Sequence, residues 1–477
     1  MSASAPSVQT GPRESTSIPR RWRPQTSPKL ILLLIGLALA LGVVSGINPK
    51  IALGIAGALA FIALVVTNYT AAVGVFIVTT FLPLPGTVTK PVGAVLILGW
   101  IAIITTREQG SFREMSSDHR GITALLLIFT GWTLIGVIWA YSPSTVLSTL
   151  ARYIPNFVLF FIMYLAGGRR SSALQLMGWF VLGGAIAGGD AIIHPPSVAA
   201  GDLSRTGGTL GDPNYLAAVL VVTLALAGAF LLSRSRSDLI RTGALLSIVI
   251  SIGGILLSLS RGGLIAMATA LAAAVCVARR WRIQMGTLAL AVVVVVVGYF
   301  AFFASVDAVS RLTTNNQGSG RTDIWRVAIR MWKAHPITGV GAGNFPLVSR
   351  NYVLQPGLTT HADYILTVPK VTHNMYLEVL SEGGAPGLIL FLAIICCSLL
   401  CVRTAWRSFR RSGDREMEMF AYALFAGVLG YLVASFFLSE EYSKQLWTLL
   451  AFGPMLQQIA TRSAPPPRNV RSLPATA

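Results

Sequence analysis

The chain has 477 residues, of which 54% are hydrophobic and only 12% are charged, and its mean hydropathy is +0.68. These values exclude a soluble enzyme, since in soluble domains about a quarter of the residues carry a charge. The chain contains 37 Lys and Arg residues against 18 Asp and Glu, which gives a net charge of +19. In a soluble protein this charge would suggest nucleic acid as a partner, so the positions of the basic residues have to be considered first.

Apolar runs recur along almost the whole chain. Because a helix needs roughly 20 mostly apolar residues to cross about 30 Å of hydrocarbon, the runs predict an all-α polytopic membrane protein with about 14 transmembrane helices, 12 being possible. The predicted spans are 30–46, 51–67, 70–84, 91–106, 122–140, 144–167, 173–193, 214–233, 241–259, 262–278, 286–305, 385–402, 417–438 and 445–460.

The spans divide the chain into five segments. Residues 1–29 are predicted to be a disordered cytoplasmic N-terminus, and 30–305 contain membrane helices 1 to 11. Residues 306–372 form an extracytoplasmic loop with short helices, the feature most typical of a functional region. Helices 12 to 14 follow within 373–460, preceded by a short helix at a His-Asn pair, and 461–477 are a disordered cytoplasmic tail.

Most of the basic residues lie between the predicted spans, on the side of the membrane that also holds the N-terminus. This distribution follows the positive-inside rule and places both termini in the cytoplasm. The positive charge is therefore explained by membrane insertion, and no nucleic acid partner is needed. The basic residues before Leu30 could also belong to a signal peptide, but the long leader favours an uncleaved first span.

The extracytoplasmic loop contains an amphipathic helical pattern. Apolar residues recur at helical spacing from Ile324 to Trp332. Arg326, Arg330 and Lys333 lie on the other face, where they could either snorkel from a membrane-surface helix or bind a ligand. Arg321 precedes the periodic part, which favours a functional role for its guanidinium.

Two further motifs follow in the same loop. Gly339-Val340-Gly341-Ala342-Gly343 lacks the strand and helix context of a nucleotide loop and predicts a tight backbone turn. His373-Asn374 precedes Glu382-Gly383-Gly384 and Pro386, which predict a break before the next span. An imidazole at the water boundary can accept a proton at neutral pH, so His373 is either a catalytic base or a structural histidine.

Arginines near two other spans are also candidates for binding. Arg205 precedes a Gly-Asp-Pro-Asn turn, and Arg261 lies in a very short turn between two apolar runs. A guanidinium at such a place can bind phosphate oxygens in a bidentate manner. The alternatives are an interfacial anchor for Arg261 and a salt bridge with Asp202 or Asp212 for Arg205. Arg152, in mid-span, could be a further polar contact or could snorkel.

These motifs resemble those of the O-antigen ligase and polymerase superfamily of membrane glycosyltransferases. The resemblance rests on Gly320-Arg321 through Trp325, Pro336 to Gly341, and His373-Asn374 with Tyr376-Leu377 and Glu382-Gly383. Segments 258–262 and 207–214 look like the upstream motifs of the family. The resemblance covers roughly residues 200 to 400, and this chain departs from the commoner twelve spans.

The resemblance implies a GT-C class glycosyltransferase that acts on the outer face of the bacterial plasma membrane. The expected donor is an undecaprenyl-pyrophosphate-linked glycan, and the acceptor is a hydroxyl on a glycan, a lipid or a protein. The expected roles are catalytic base for His373 and pyrophosphate ligands for Arg205, Arg261 and Arg321. The reaction is expected to invert the anomeric centre and to need neither a metal nor another cofactor.

Two other classes of function remain open on the sequence. Many spans with a few intramembrane charges would also suit a transporter or flippase of an envelope precursor. A membrane scaffold that binds a partner protein through its long loop is the third alternative.

Overall fold

The computed structural model describes residues 48–106, 112–195, 198–199, 202–203, 205–233, 235–277, 281–313, 321–353 and 370–463. The chain divides into two compact units, Met1–Ala60 and Phe61–Ala477. In the first unit the described residues form the start of helix α1 (Pro49–Thr67), in which Lys50 is the only charged residue.

The second unit is helical, with one hairpin of two-residue strands, β1 (Val198–Ala199) and β2 (Asp202–Leu203). Its first helices are α2 (Tyr69–Thr79), α3 (Gly86–Thr106), α4 (Phe112–Asp118), α5 (Arg120–Ile135), α6 (Pro143–Ala166), α7 (Arg170–Ile193), α8 (Pro213–Leu232), α9 (Asp238–Leu257), α10 (Arg261–Val277) and α11 (Arg282–Phe302). The later helices are α12 (Val306–Thr313), α13 (Arg321–Ala334), α14 (Phe345–Val348), α15 (Arg350–Val353), α16 (Met375–Ser412), α17 (Arg415–Ala434) and α18 (Lys444–Arg462). Short 3-10 turns form at Gly136–Ile138, Gly208–Leu210 and Ser435–Phe437.

The predicted fold class is confirmed, because the described chain is an all-α polytopic bundle. Ten helices of the described segments are long and apolar enough to cross a membrane. The predicted spans 70–84 and 262–278 correspond to the shorter helices α2 and α10, and 445–460 lies in α18, which is outside the ten. The predicted span 30–46 lies outside the described residues.

The bundle is most tightly packed around α8, of which the apolar stretch is 83% buried. Small residues bring the neighbouring helices close to it. Gly184 of α7 lies against Thr223, and Gly427 of α17 lies against the backbone of Val222. Helix pairs packed through small residues are typical of membrane interiors, where van der Waals contact drives association.

A second part of the core is aromatic. The indole of Trp447 in α18 is completely buried. Phe157 and Phe160 of α6 and Phe391 of α16 contact it edge-on, with ring centroids 4.7, 6.0 and 6.2 Å away. This cluster holds α6, α16 and α18 together close to the loop that precedes α18.

Helices α13, α14 and α15 form a separate apolar cluster in the segment predicted as the extracytoplasmic loop. The buried residues of this cluster are Ile324, Val327, Ala328, Met331, Val340, Phe345, Val348, Tyr352 and Val353. The guanidinium of Arg330 donates to the carbonyls of Tyr352 and Val353, at 3.0 and 3.4 Å. Arg330 therefore makes a structural contact with α15.

The break predicted at the glycines before Pro386 is confirmed as a kink in α16. Gly384 has φ 65° and ψ −172°, which interrupts the helical backbone. The predicted glycine turn packs on this kink, since the amide of Gly341 donates to the carbonyl of Glu382 (2.9 Å) and the amide of Ala385 donates to that of Pro336 (2.8 Å). Gly339, Gly341 and Gly343 all have positive φ, which confirms a tight turn that needs glycine.

Candidate functional site

His373 lies directly before α16 and has a strained backbone. Its φ of 51° is in the left-handed region, which costs a residue other than glycine about 1–2 kcal/mol. Asn374 caps the helix, because its side-chain oxygen accepts hydrogen bonds from the amides of Tyr376 and Leu377, both at 3.1 Å. The helix cap of Asn374 and the left-handed backbone of His373 together fix the position of the imidazole.

The preceding residue, Thr372, is held by three elements. The indole N–H of Trp325 in α13 donates to the Thr372 carbonyl at 3.1 Å. The Thr372 hydroxyl lies 3.0 Å from Oε2 of Glu378 in α16 and 3.2 Å from the hydroxyl of Ser439, in the loop before α18. This network explains how a left-handed His373 can persist.

The environment of His373 favours the neutral imidazole. Burial is the largest effect and lowers the pKa of His373, and the positive charges of Arg321 and Lys370 lower it further. The carboxylate of Asp212 opposes this shift in part. A neutral imidazole at neutral pH can accept a proton, as a general base must.

Arg205 joins the two upstream motifs. Its Nε donates to the carbonyl of Ser258 (3.0 Å), and its Nη2 donates to Oδ1 of Asn214 (2.9 Å). The hydroxyl of Ser260 donates to the same Asn214 oxygen (2.8 Å). Segments 207–214 and 258–262 therefore meet at the guanidinium, although about 50 residues separate them.

Asp212, a predicted possible partner of Arg205, caps α8. Its carboxylate accepts from the amides of Asn214 and Tyr215, at 2.7 and 2.9 Å. Asp202, the other possible partner, has a side chain outside the described part.

Arg261 begins α10 and is exposed at the same end of the bundle. The next residue, Gly262, is packed against Phe437, since a Cβ there would lie 2.7 Å from its ring. The ring of Phe437 is 6.4 Å from that of Trp325, which binds Thr372. A continuous chain of contacts thus runs from the turn of Arg261 to the backbone beside His373.

Among the described helices, α8 begins at this end of the bundle at Asp212, α10 at Ser260 and α16 at Asn374. Each is capped by a side chain, and in α10 the hydroxyl of Ser260 accepts from the amide of Gly263 (3.0 Å). Helix N-termini carry a partial positive charge, which favours anions. Arg205, Arg261 and Arg321 add formal charges to the same region.

Four buried or partly buried glutamates of α16 and of the loop before α18 lie close to one another, and the sequence motifs did not indicate that they would meet. They are Glu378, Glu382, Glu440 and Glu441. Burial, Asp212 and Glu378 raise the pKa of Glu440 to about 8. Burial and then Glu378 and Glu382 raise the pKa of Glu441, whose oxygens have no hydrogen-bond partner in the described part. The carboxyl of Glu440 is thus held largely protonated at neutral pH.

Glu382 links this cluster to the glycine turn. Its carboxylate accepts from the amides of Gly343 (2.7 Å) and Phe345 (3.0 Å) and from the hydroxyl of Tyr442 (3.2 Å). The only sequence signal was the spacing of Glu378 and Glu382, which puts both on one face of a helix. In the described segments no group of three or more His, Cys, Asp or Glu is arranged to hold a metal ion.

Other predicted residues lie outside this network or have structural partners. Arg326 pairs with Asp323 at 2.9 Å, and Lys333 is exposed on the far face of α13. The guanidinium of Arg152 lies 5.6 Å from the ring centroid of Tyr442, within the range of a cation–π contact.

Fold and site together define a class: a polytopic all-α membrane protein with a neutral histidine and several arginines among the capped helix ends at one end of its bundle. Residues 246–392 match the model of the family described as O-Antigen ligase. This match confirms the resemblance read from the motifs, over the segment from α9 to α16. It includes Arg261, Arg321 and His373, whereas Arg205 lies before it. No curated protein matches the chain.

Proposed function

We propose that the protein transfers a glycan from an undecaprenyl-pyrophosphate-linked donor to an acceptor hydroxyl on the outer face of the bacterial plasma membrane. The family match supports O-antigen ligation or polymerisation in general. The single observation that carries the proposal is the neutral His373 within electrostatic range of Arg321, close to the turns that hold Arg205 and Arg261.

Transfer of the glycan requires both a base and positively charged groups. An alcohol is a weak nucleophile until a base takes its proton, and the neutral imidazole of His373 would be that base. Pyrophosphate leaves when its developing charge is stabilised, which the arginines and the helix N-termini would do. The acceptor oxygen forms the new bond to the anomeric carbon as the bond to pyrophosphate breaks, so a direct displacement inverts that carbon.

Formation of a new glycosidic bond tests this proposal. Purified protein in detergent, incubated with lipid-linked glycan and an acceptor, is expected to yield the joined product and free undecaprenyl pyrophosphate. EDTA is expected to leave the rate unchanged. No product with a range of acceptors, together with movement of the donor across vesicle membranes, would instead support the flippase alternative.

A further inference from the structure

One face of α16 changes from apolar to cationic along its length. Side chains exposed on this face are Ile389, Leu392, Cys396, Leu400, Arg403, Arg407, Arg410 and Arg411. Successive members are three or four residues apart, except for the adjacent Arg410 and Arg411, so all eight lie on one side of a helix with 3.6 residues per turn. We call these eight residues the α16 stripe.

The apolar part of the α16 stripe has the length of one leaflet of a bilayer, and the arginines follow where a lipid headgroup would lie. The apolar part, from Ile389 to Leu400, is about 16 Å long at 1.5 Å per residue. One leaflet contributes about half of the roughly 30 Å of hydrocarbon in a bilayer. The four arginines begin one turn beyond Leu400, where the headgroup of a lipid lying along the apolar part would be.

The stripe points away from the protein interior. On the opposite face of the helix, Val402, Ala405 and Phe409 are buried. There the hydroxyl of Ser408 donates to the carbonyl of Ala460 in α18, at 3.3 Å. The helix therefore continues past its apolar run as a packed element, and its arginines are presented outward in a fixed row.

Apart from Arg410, the arginines of the stripe lack, within the described part of the chain, the acidic partners that other arginines of the bundle have. Arg170 and Arg236 both bind Glu416, and Arg462 binds Glu114. Within the stripe, Arg410 comes only to 3.9 Å from an oxygen of Glu418.

The guanidinium groups of Arg403, Arg407 and Arg411 make no ion pair or hydrogen bond within the described part of the chain. The planar guanidinium is weakly hydrated and pairs bidentately with phosphate oxygens. A phosphate group fits this row, and a neutral headgroup would not offset its charge.

We infer that the α16 stripe binds an acidic phospholipid, with acyl chain along Ile389 to Leu400 and phosphate on Arg403, Arg407 and Arg411. Basic clusters just beyond a transmembrane helix attract acidic lipids by about 1 kcal/mol per residue. Positive charge at this end would also direct membrane insertion, but that role needs no bound lipid in the finished protein.

Lipid binding to the purified full-length protein distinguishes the two roles. Native mass spectrometry would count bound phosphatidylglycerol or phosphatidylcholine of identical acyl chains. The wild type is expected to retain phosphatidylglycerol preferentially. The variant Arg403→Gln/Arg407→Gln is expected to bind it about tenfold more weakly or worse, because two phosphate contacts are lost.

The matched control is Arg169→Gln/Arg282→Gln, which removes two exposed arginines from the same predicted side of the membrane. This control is expected to bind phosphatidylglycerol like the wild type. Equal losses in both double variants would overturn the site, since only net charge would then matter. Absence of any preference in the wild type would overturn it as well, whether or not a variant folds.

Discussion

At the scale of single residues, His373 combines a left-handed backbone, burial and nearby positive charge. The sequence indicated His373, Arg205, Arg261 and Arg321 as candidates because each stands in a short polar motif between apolar runs. It did not indicate Thr372 or Glu440. Their importance comes from contacts between α13, α16 and the loop before α18, and neither periodicity nor a local motif encodes such contacts.

The pH dependence of activity follows from the lowered pKa of His373. A general base works only when deprotonated, so activity should fall as pH drops through this pKa. Because burial and Arg321 lower the pKa, we expect the acidic limb of kcat/KM to lie below about pH 6.5, the ordinary value for histidine. A limb well above pH 7, which disappears in the His373→Gln variant, would show that the pKa is raised instead.

The arginines should differ in their effect on transfer. Arg205→Ala and Arg261→Ala are each expected to lower kcat/KM by at least about tenfold, since each loses a charge-assisted contact with pyrophosphate. Lys333→Ala, on the far face of α13, is expected to stay within about twofold of the wild type. Initial rates with purified lipid-linked donor measure these effects. Equal losses in all three variants would refute a specific phosphate site.

At the scale of elements, hydropathy predicted most helices because the apolar run and the membrane-spanning helix have the same length. It could not predict that α13 to α15 form their own apolar cluster or that α2 has only 11 residues. Those features depend on which neighbours bury a segment. The kink of α16 was predictable, since Gly384 and Pro386 both disfavour a regular helix.

The contact between the glycine turn and this kink can be tested by substitution. Gly339→Ala puts a Cβ 2.2 Å from the carbonyl oxygen of Glu382 at a position with φ 64°, so we expect clear destabilisation. Gly413→Ala is the matched control, because its φ is 79° and nothing lies within 4 Å of its Cβ. In the control, the free energy of unfolding should fall by only about 1–2 kcal/mol, because that is the cost of placing a residue with a Cβ in the left-handed region. Thermal unfolding in detergent compares the two, and equal shifts would contradict the packing described here.

At the scale of the whole molecule, the distribution of basic residues predicts the orientation in the membrane. The site end of the bundle should face the exterior, and the arginines at the end of α16 should face the cytoplasm. In a cysteine-free background, Lys333→Cys in intact spheroplasts should react with a membrane-impermeant maleimide. Ser412→Cys should react only after permeabilisation. The reverse pattern would place the site on the cytoplasmic side and contradict the proposed location of the reaction.

The central claim is that His373 accepts the proton of the acceptor while nearby arginines hold the leaving pyrophosphate. Single-turnover transfer by purified His373→Ala, folded and with donor bound as in the wild type, tests it most directly. We expect the rate of glycosidic bond formation to fall by about 100-fold to 10,000-fold, the usual contribution of a general base. A rate equal to that of the wild type would contradict the claim.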